Sequence, residues 1–347
     1  MKKTKIITFL KFLLSSFMML LIILFALSYK PKVKNITYGV SFNTFYAREL
    51  GLNWREVYDA TLDDLHVRQL RLAAHWPMVE PSQGQYNFSE LDYQMDKAAE
   101  VGAEVILAVG RRLPRWPECH VPQWVKLLDQ EERQKLQLEY MQKVIERYKN
   151  HPALKVWQVE NEPFLEVYAF EQCGYFDKDF FNQEIALAKK LDTEHPILVT
   201  DSGNLGTWHK AYKSGDMFGT SVYIYFWNPE LGQFKTLLPA WFYRTKSNLM
   251  RIFYGSKPSL LIELSVEPWL TKPIKDTPLD VQFSRMNLQK FSEIIEYAKG
   301  TRFDYQYLWG VEWWYWLKLQ DKPSFWNEAR KLYDPDDKKT EIEVTNL

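Results

Sequence analysis

Eight short β-rich runs, each followed by a stretch that reads as amphipathic helix, constrain this chain more than any other feature. The runs are ITYGVSF (36–42), VRQLRL (67–72), AEVILAVG (103–110), LKVWQVE (154–160), PILVTD (196–201), MFGTSVYI (217–224), PSLLIEL (258–264) and YQYLWGVEWW (305–314). Between them lie helical patterns such as LNWREVYDATLDDL, LDYQMDKAAEVG and EERQKLQLEYMQKVIERYKN. FSRMNLQKFSEIIEYAKG reads as one helix that begins near Ser284 and stops on Gly300, a normal helix end. Strand-then-helix repetition calls for a parallel sheet with crossover helices. Many of the runs are apolar without strict alternation, as strands covered on both faces are. Eight such units closing on themselves predict an α/β fold, a single (β/α)8 barrel over residues 35–335. An open doubly wound sheet is the alternative, but no Gly-rich phosphate loop follows the first run. The aromatic stretch 228–256 exceeds a usual connection and reads as a helix plus an excursion near the active face.

Residues 1–34 stand outside that pattern. Lys2, Lys3 and Lys5 precede an uncharged apolar run from Phe12 to Ser28. With Ile6 to Leu10 added and Lys11 snorkelling, it approaches the ~20 residues that span a bilayer. The lysines place the N-terminus in the cytoplasm, which makes a single-pass membrane protein with an extracytoplasmic barrel. The alternative is a signal peptide cleaved near Ala26-Leu27-Ser28, giving a secreted protein. Either route exports the body, so Cys119 and Cys173, both in loops at one end of the barrel, form a candidate disulfide; two isolated thiols is the other reading. Residues 336–347 read as a charged tail.

The 44 basic and 44 acidic residues cancel, which gives no sign of a nucleic-acid partner. The 14 Trp and 20 Tyr suit stacking on the C–H faces of sugars, although barrels also bury many aromatics. The six His show no HExxH or close pairing, and Cys119-His120 alone is weak, so no metal is expected. No G-x-S-x-G elbow occurs, and the chemistry below needs no cofactor. Nothing in the sequence bears on oligomeric state.

Barrel enzymes place working groups where strands give way to loops at the C-terminal face. Glycoside hydrolysis needs two carboxyl groups flanking the scissile bond. The fourth run ends in WQVENEPF (157–164), which puts Glu162 at a strand end, with Asn161 beside it able to reach a sugar hydroxyl. The seventh ends in LLIELSVEPW (260–269), which puts Glu263 at another. Glu267 lies ~13 Å further along if extended and cannot share that position without the chain folding back. Glu160 reads as a buried partner of an Arg or Lys. His75 and Trp76 follow the second run and are expected to line the pocket; a structural, hydrogen-bonded role for His75 stays open. Arg111, Arg112, Arg115 and Trp116 follow the third run and read as partners of Glu118 and neighbouring carboxylates rather than as a site for an acidic glycan.

The NEP of the fourth run, the LLIEL of the seventh and RLAAHWPMVEPSQGQYNFSELD (71–92) resemble the clan-A glycoside hydrolases, barrel enzymes with an acid/base on strand four and a nucleophile on strand seven. The cellulase-like and β-xylosidase-like members are the most similar in these motifs, over roughly residues 38–330. The resemblance implies a retaining double displacement on a poly- or oligosaccharide, with Glu162 as acid/base and Glu263 as nucleophile. It also implies that Arg71 pairs with Glu263, that Tyr223 orients it, and that one of Trp313 and Trp314 lies beneath the sugar at the cleavage point. A transglycosylase that remodels a surface polysaccharide, or a non-catalytic glycan-binding barrel, would share most of these residues.

Overall fold

The computed structural model describes residues 2–115, 118–165, 170–228 and 230–334. Trp116 and the tail at 336–347 lie outside them. Among the described residues are ten strands: β1 (Thr37–Ser41), β2 (Gln69–Ala73), β3 (Glu104–Val109), β4 (Leu154–Val159), β5 (Ile197–Asp201), β6 (Met217–Val222), β7 (Tyr225–Asn228), β8 (Gly232–Lys235), β9 (Ser259–Ser265) and β10 (Tyr305–Trp309). The helices are α1 (Lys2–Ser28), α2 (Thr44–Glu49), α3 (Trp54–Asp63), α4 (Trp76–Val79), α5 (Ser89–Glu100), α6 (Gln130–Tyr148) and α7 (Phe170–Cys173). They continue with α8 (Lys178–Leu191), α9 (His209–Ser214), α10 (Ala240–Tyr254), α11 (Leu279–Arg285), α12 (Leu288–Thr301), α13 (Val311–Lys318) and α14 (Ser324–Tyr333).

Eight strands close in the order β1-β10-β9-β6-β5-β4-β3-β2, every pair parallel, and this is the expected barrel. The long connection after β6 forms the antiparallel β7–β8 hairpin before α10. Two cores result. Ile106, Val156, Leu198, Leu260, Ile262 and Tyr307 fill the barrel interior. The strands' other faces pack with the helices in a larger cluster. Tyr307 reaches across the interior against Gly39, where any Cβ would come within 2.6 Å of its ring.

β9 departs from plain alternation. Leu260 and Ile262 face inward, so a regular strand would send Glu263 outward to the helices. The register shifts against both neighbours at this point: Leu261 pairs with Thr220 and Gln306, but Glu263 pairs with Ser221 and Leu264 with Leu308. This bulge turns Glu263 into the barrel and returns Leu264 to the outer core.

Two expected elements differ. The last strand ends at Trp309, not 314. Gly310 turns the chain at φ 120°, where a Cβ would lie 3.0 Å from both Trp314 Nε1 and Val266 O, and Val311–Lys318 is helical. That helix is apolar on nearly every side, so its sequence shows β-forming aromatics and no 3.6-residue stripe. The helix expected to begin near Ser284 is two helices. Met286 is extended, and Asn287 starts α12 by accepting from the Lys290 amide at 2.9 Å.

A disulfide joins Cys119, in the loop after β3, to Cys173, the last residue of α7 in the connection after β4, across 54 residues. At the N-terminus, Ile7–Ser28 within α1 is a 22-residue helix of mean hydropathy 2.5, long and apolar enough to cross a bilayer.

Candidate active site

At the mouth, the ends of β2, β4, β6 and β9 converge. The Arg71 guanidinium is fully enclosed and organises the centre. Nη1 donates to Glu263 Oε1 at 2.8 Å, Nε to Gln158 Oε1 at 2.8 Å, and Nη2 to Asn161 Oδ1 at 2.6 Å. An arginine only donates, so it fixes the amide orientations of Gln158 and Asn161. Asn161 Oδ1 is therefore committed to the protein, and only its Nδ2 is left to meet a ligand. The second Glu263 oxygen accepts from Tyr223 Oη at 3.1 Å. Burial first, then the charges of Glu263 and Glu162, holds the Tyr223 phenol well above its ordinary pKa, so it stays a donor.

Glu162 is held differently. Its Oε1 accepts from Ser221 Oγ at 2.6 Å, and its backbone N–H donates to Thr200 Oγ1 at 2.8 Å. Among the described residues no cation bonds it directly. Burial, then the charge of Glu263, then that of Glu118, raises its carboxyl well above the usual range, with the Ser221 hydrogen bond opposing. Ser221 and Tyr223 sit two residues apart on one segment, about 7 Å if extended. Two neighbouring inward positions thus hold the two carboxylates.

The chain reaches this geometry through strained backbone. Eight non-glycine residues among those described have positive φ, and four of them ring the mouth: Arg115, Glu118, Glu160 and Glu162. Glu160 corrects the expectation of an arginine or lysine partner. Its carboxylate accepts from the backbone N–H groups of Arg111 (2.6 Å) and Arg112 (2.7 Å) and from Gln137 Nε2 (3.1 Å). Gly110 makes room, since a Cβ there would stand 2.3 Å from Glu160 Oε1. Glu160 thereby ties the loop after β3 to the segment that carries Glu162. That loop brings Glu118, paired with Arg112 at 2.6 Å, whose charge is among those that raise the Glu162 carboxyl.

The remaining expected residues separate. Trp313 and Trp314 are fully buried on α13 and do not lie beneath the cleft; their indoles donate to Gln282 Oε1 (2.8 Å) and Val266 O (3.0 Å). Trp76 also leaves the mouth, stacking on Tyr140 of α6 and donating to Glu80 Oε2 at 2.7 Å. His75 packs edge-on against Phe45 and His120, near Asn43 Nδ2 at 3.4 Å. Burial, then His120, lowers its pKa well below the ordinary value, so it is neutral. The aromatic at the end of the last strand is Trp309, edge-on to Tyr223 at 6.3 Å; Trp269 adds a second ring at 5.6 Å and the hairpin's Phe226 a third at 6.4 Å. Trp309 carries the position signal assigned to Trp313 and Trp314, once the strand is ended at Gly310. Ser221, Thr200 and Gln158 were missed, although Ser221 shares Tyr223's parity two residues earlier.

Behind Trp309 lies a second charged group. Arg115 donates to Glu267 Oε1 at 2.7 Å and stacks on Tyr46. Glu312 accepts from the Asn43 amide at 2.6 Å, and burial pushes its carboxyl up to about 7. Glu267 thus stands apart from the pair, as its spacing required. Among the described residues, no group of three or more His, Cys, Asp or Glu is arranged to hold a metal ion.

A glycoside hydrolase family 42 model, described as beta-galactosidase, matches residues 53–240, just over half of the chain. The stretch includes Arg71, Asn161, Glu162 and Tyr223 and ends before Glu263. A beta-galactosidase of Arthrobacter sp. is 28% identical over 181 residues, 47% of this chain and 22% of that protein. Human beta-glucuronidase is 28% identical over 127 residues, 35% of this chain and 18% of that protein. The alignments span about a fifth of these relatives' own length. Among solved structures, a family 5, subfamily 18 glycoside hydrolase of Bifidobacterium longum aligns with TM-score 0.56 at 13% identity, over 80% of this chain and 70% of that one. A family 5 mannosidase of Rhizomucor miehei aligns with TM-score 0.54 at 16% identity, over 81% and 82%. These two likenesses carry the fold, and the family match narrows the clan resemblance to family 42.

Proposed function

The chain belongs to glycoside hydrolase family 42, the beta-galactosidase family, and from that membership we propose a retaining β-glycosidase that acts on β-galactosidic bonds of an oligo- or polysaccharide. The observation that carries the reading is the unequal pair: Glu263 on Arg71 and Tyr223, and Glu162 on Ser221 with a raised pKa. A carboxyl group held protonated, beside a second one gripped by a guanidinium and a phenol, is what acid and nucleophile roles require.

Glu162 starts protonated and donates to the departing glycosidic oxygen. Glu263 attacks the anomeric carbon and forms a glycosyl ester. That removes the negative charge that raised the Glu162 pKa, so Glu162, now a carboxylate, takes a proton from the water that releases the sugar. Arg71 and Tyr223 hold Glu263 in line for attack. Asn161 Nδ2 is the group for a sugar hydroxyl, and Trp309 with Trp269 supplies stacking faces.

The N-terminal segment is read as a retained membrane anchor, with the barrel, residues 35–335, outside the cytoplasm. A disulfide between Cys119 and Cys173 suits an oxidising compartment.

The test is the full chain in detergent with aryl β-galactosides, β-glucosides, β-mannosides and β-glucuronides, the first-formed anomer being read by NMR. Galactoside turnover with retained configuration supports the assignment. An inverted first product sinks the double displacement. Turnover of another sugar alone moves the substrate. Longer products favour a transglycosylase. Binding without turnover leaves a glycan-binding barrel.

A further inference from the structure

The face of the barrel opposite the mouth carries an unexplained apolar patch. Helices of this fold run back from the mouth, so the C-terminal end of α10 lies at the far face, just before β9 begins. Ile252 and Phe253 there are 64% and 66% exposed, and Tyr254 is beside them. Nothing in the catalytic reading uses them.

The end of α1 lies along α10, from Arg244 in its second turn to Ile252 near its C-terminal end. The last carbonyls of a helix have no partners of their own. Here α10 supplies them: Arg244 Nε donates to Ser28 O at 2.8 Å, and Asn248 Nδ2 donates to Leu27 O at 2.7 Å and to Tyr29 O at 2.9 Å. The arginine also sets a cation at the negative end of the helix dipole. A groove of about 320 Å³ between the two helices is lined by Ala26, Leu27, Arg251 and Ile252, among others. The most apolar stretch of the chain therefore ends against Ile252.

Charge follows the same outline. Lys30, Lys32 and Lys34 lie in the segment joining α1 to β1, Arg251 flanks the patch, and Lys213 stands 5.8 Å over the Tyr254 ring. Asp304 is the acid facing Lys30. Apolar tips ringed by tyrosine and basic side chains suit the boundary between acyl chains and anionic headgroups. Only residues 29–36 separate α1 from β1, a reach of at most ~28 Å, and β1 starts at this same far face.

We propose that the C-terminal end of α10, through Ile252, Phe253 and Tyr254, is a bilayer-contact surface that seats the barrel on the membrane with its catalytic mouth turned away. The proposal rests on the anchor reading above. It makes the substrate a glycan reaching the barrel from the distal side, not a sugar head on a lipid of the same membrane.

The native cysteines are bonded to each other, so one added thiol can be labelled alone. Full-length Phe253→Cys, Ile252→Cys, Leu20→Cys and Leu127→Cys proteins would carry an environment-sensitive fluorophore in phosphatidylcholine–phosphatidylglycerol vesicles with an acyl-chain nitroxide lipid. Leu127 is exposed in the loop after β3, on the mouth side. The expected result is severalfold stronger quenching at 20, 252 and 253 than at 127. Quenching at 20 without quenching at 252 or 253 overturns the docking surface while the anchor stands. Quenching at 127 and not at 253 reverses the orientation and also overturns it. No quenching at 20 removes the anchor itself, and the proposal with it.

Discussion

Glu162 and Glu263 are the same residue type at the same barrel mouth, yet their surroundings have almost nothing in common. Glu263 is gripped by charge: a buried guanidinium on one oxygen and a phenol on the other. Glu162 is gripped by neutral groups, the hydroxyl of Ser221 on its carboxyl and that of Thr200 on its amide, and its nearest influential charges are carboxylates. A carboxyl group cut off from water and beside other carboxylates holds its proton, as Glu162 does. In the proposed mechanism the division of labour lies in the residues that hold the pair: Arg71, Gln158 and Asn161 on one side, Ser221, Thr200 and Glu118 on the other.

The comparison breaks most decisively at Glu263. Glu263→Gln should abolish turnover of every substrate, because it removes the carboxylate that forms the ester in the proposed mechanism; residual wild-type kcat would refute the assignment. Glu162→Gln tests the other half. Turnover should fall by roughly 10²- to 10⁴-fold with sugar leaving groups. Aryl glycosides of acidic phenols should be largely spared at the first step, because such leaving groups depart without a proton. Equal losses on both substrate types would deny Glu162 the acid role.

Stability sharpens the contrast further. Arg71→Met strands a buried carboxylate and should cost about 3–5 kcal/mol in urea unfolding. Ser221→Ala removes one hydrogen bond and should cost about 1 kcal/mol. Similar costs would mean that charge does not distinguish the two sites.

The smallest expected effect is on pH. With its folded pKa raised, Glu162 favours the folded state fully only below the unfolded carboxyl pKa. That stability is lost as pH rises through the folded value. Glu162→Gln should therefore gain in Tm over wild type as pH is raised from mildly acidic to mildly alkaline. Glu184 and Glu312 are raised too, but they are common to both proteins and cancel. A Tm difference that does not change with pH would show that Glu162 is not held protonated.

Much of the site was legible because strand ends are legible. Asn161, Glu162 and Glu263 stand where β-rich runs give way to loops, Arg71 and Tyr223 came from the clan resemblance, and the structure brings all five together. Failures came where a run did not end as its composition suggested. Trp313 and Trp314 sit among β-forming aromatics, yet Gly310 had already turned the chain into a helix, which left Trp309 at the strand end. Trp76 follows β2 closely, but α4 begins at once and points it at α6. Glu160 and Glu162 share parity on paper; left-handed backbone at both uncouples them, sending one to the amides of Arg111 and Arg112 and leaving the other on Ser221.

The amino-acid sequence by itself determined the barrel, the apolar N-terminal segment and the strand ends where chemistry could reside. Hydrophobic periodicity and chain connectivity are local properties and survive in one dimension. Only the tertiary structure decided which way those strand ends face. Glu263 reaches the mouth because β9 bulges against both neighbours, and regular alternation would have buried it among the helices. Partners follow the same rule: Arg71 meets Glu263 across 192 residues and Asn161 across 90. No local pattern records such pairings, because they exist only once the barrel has closed.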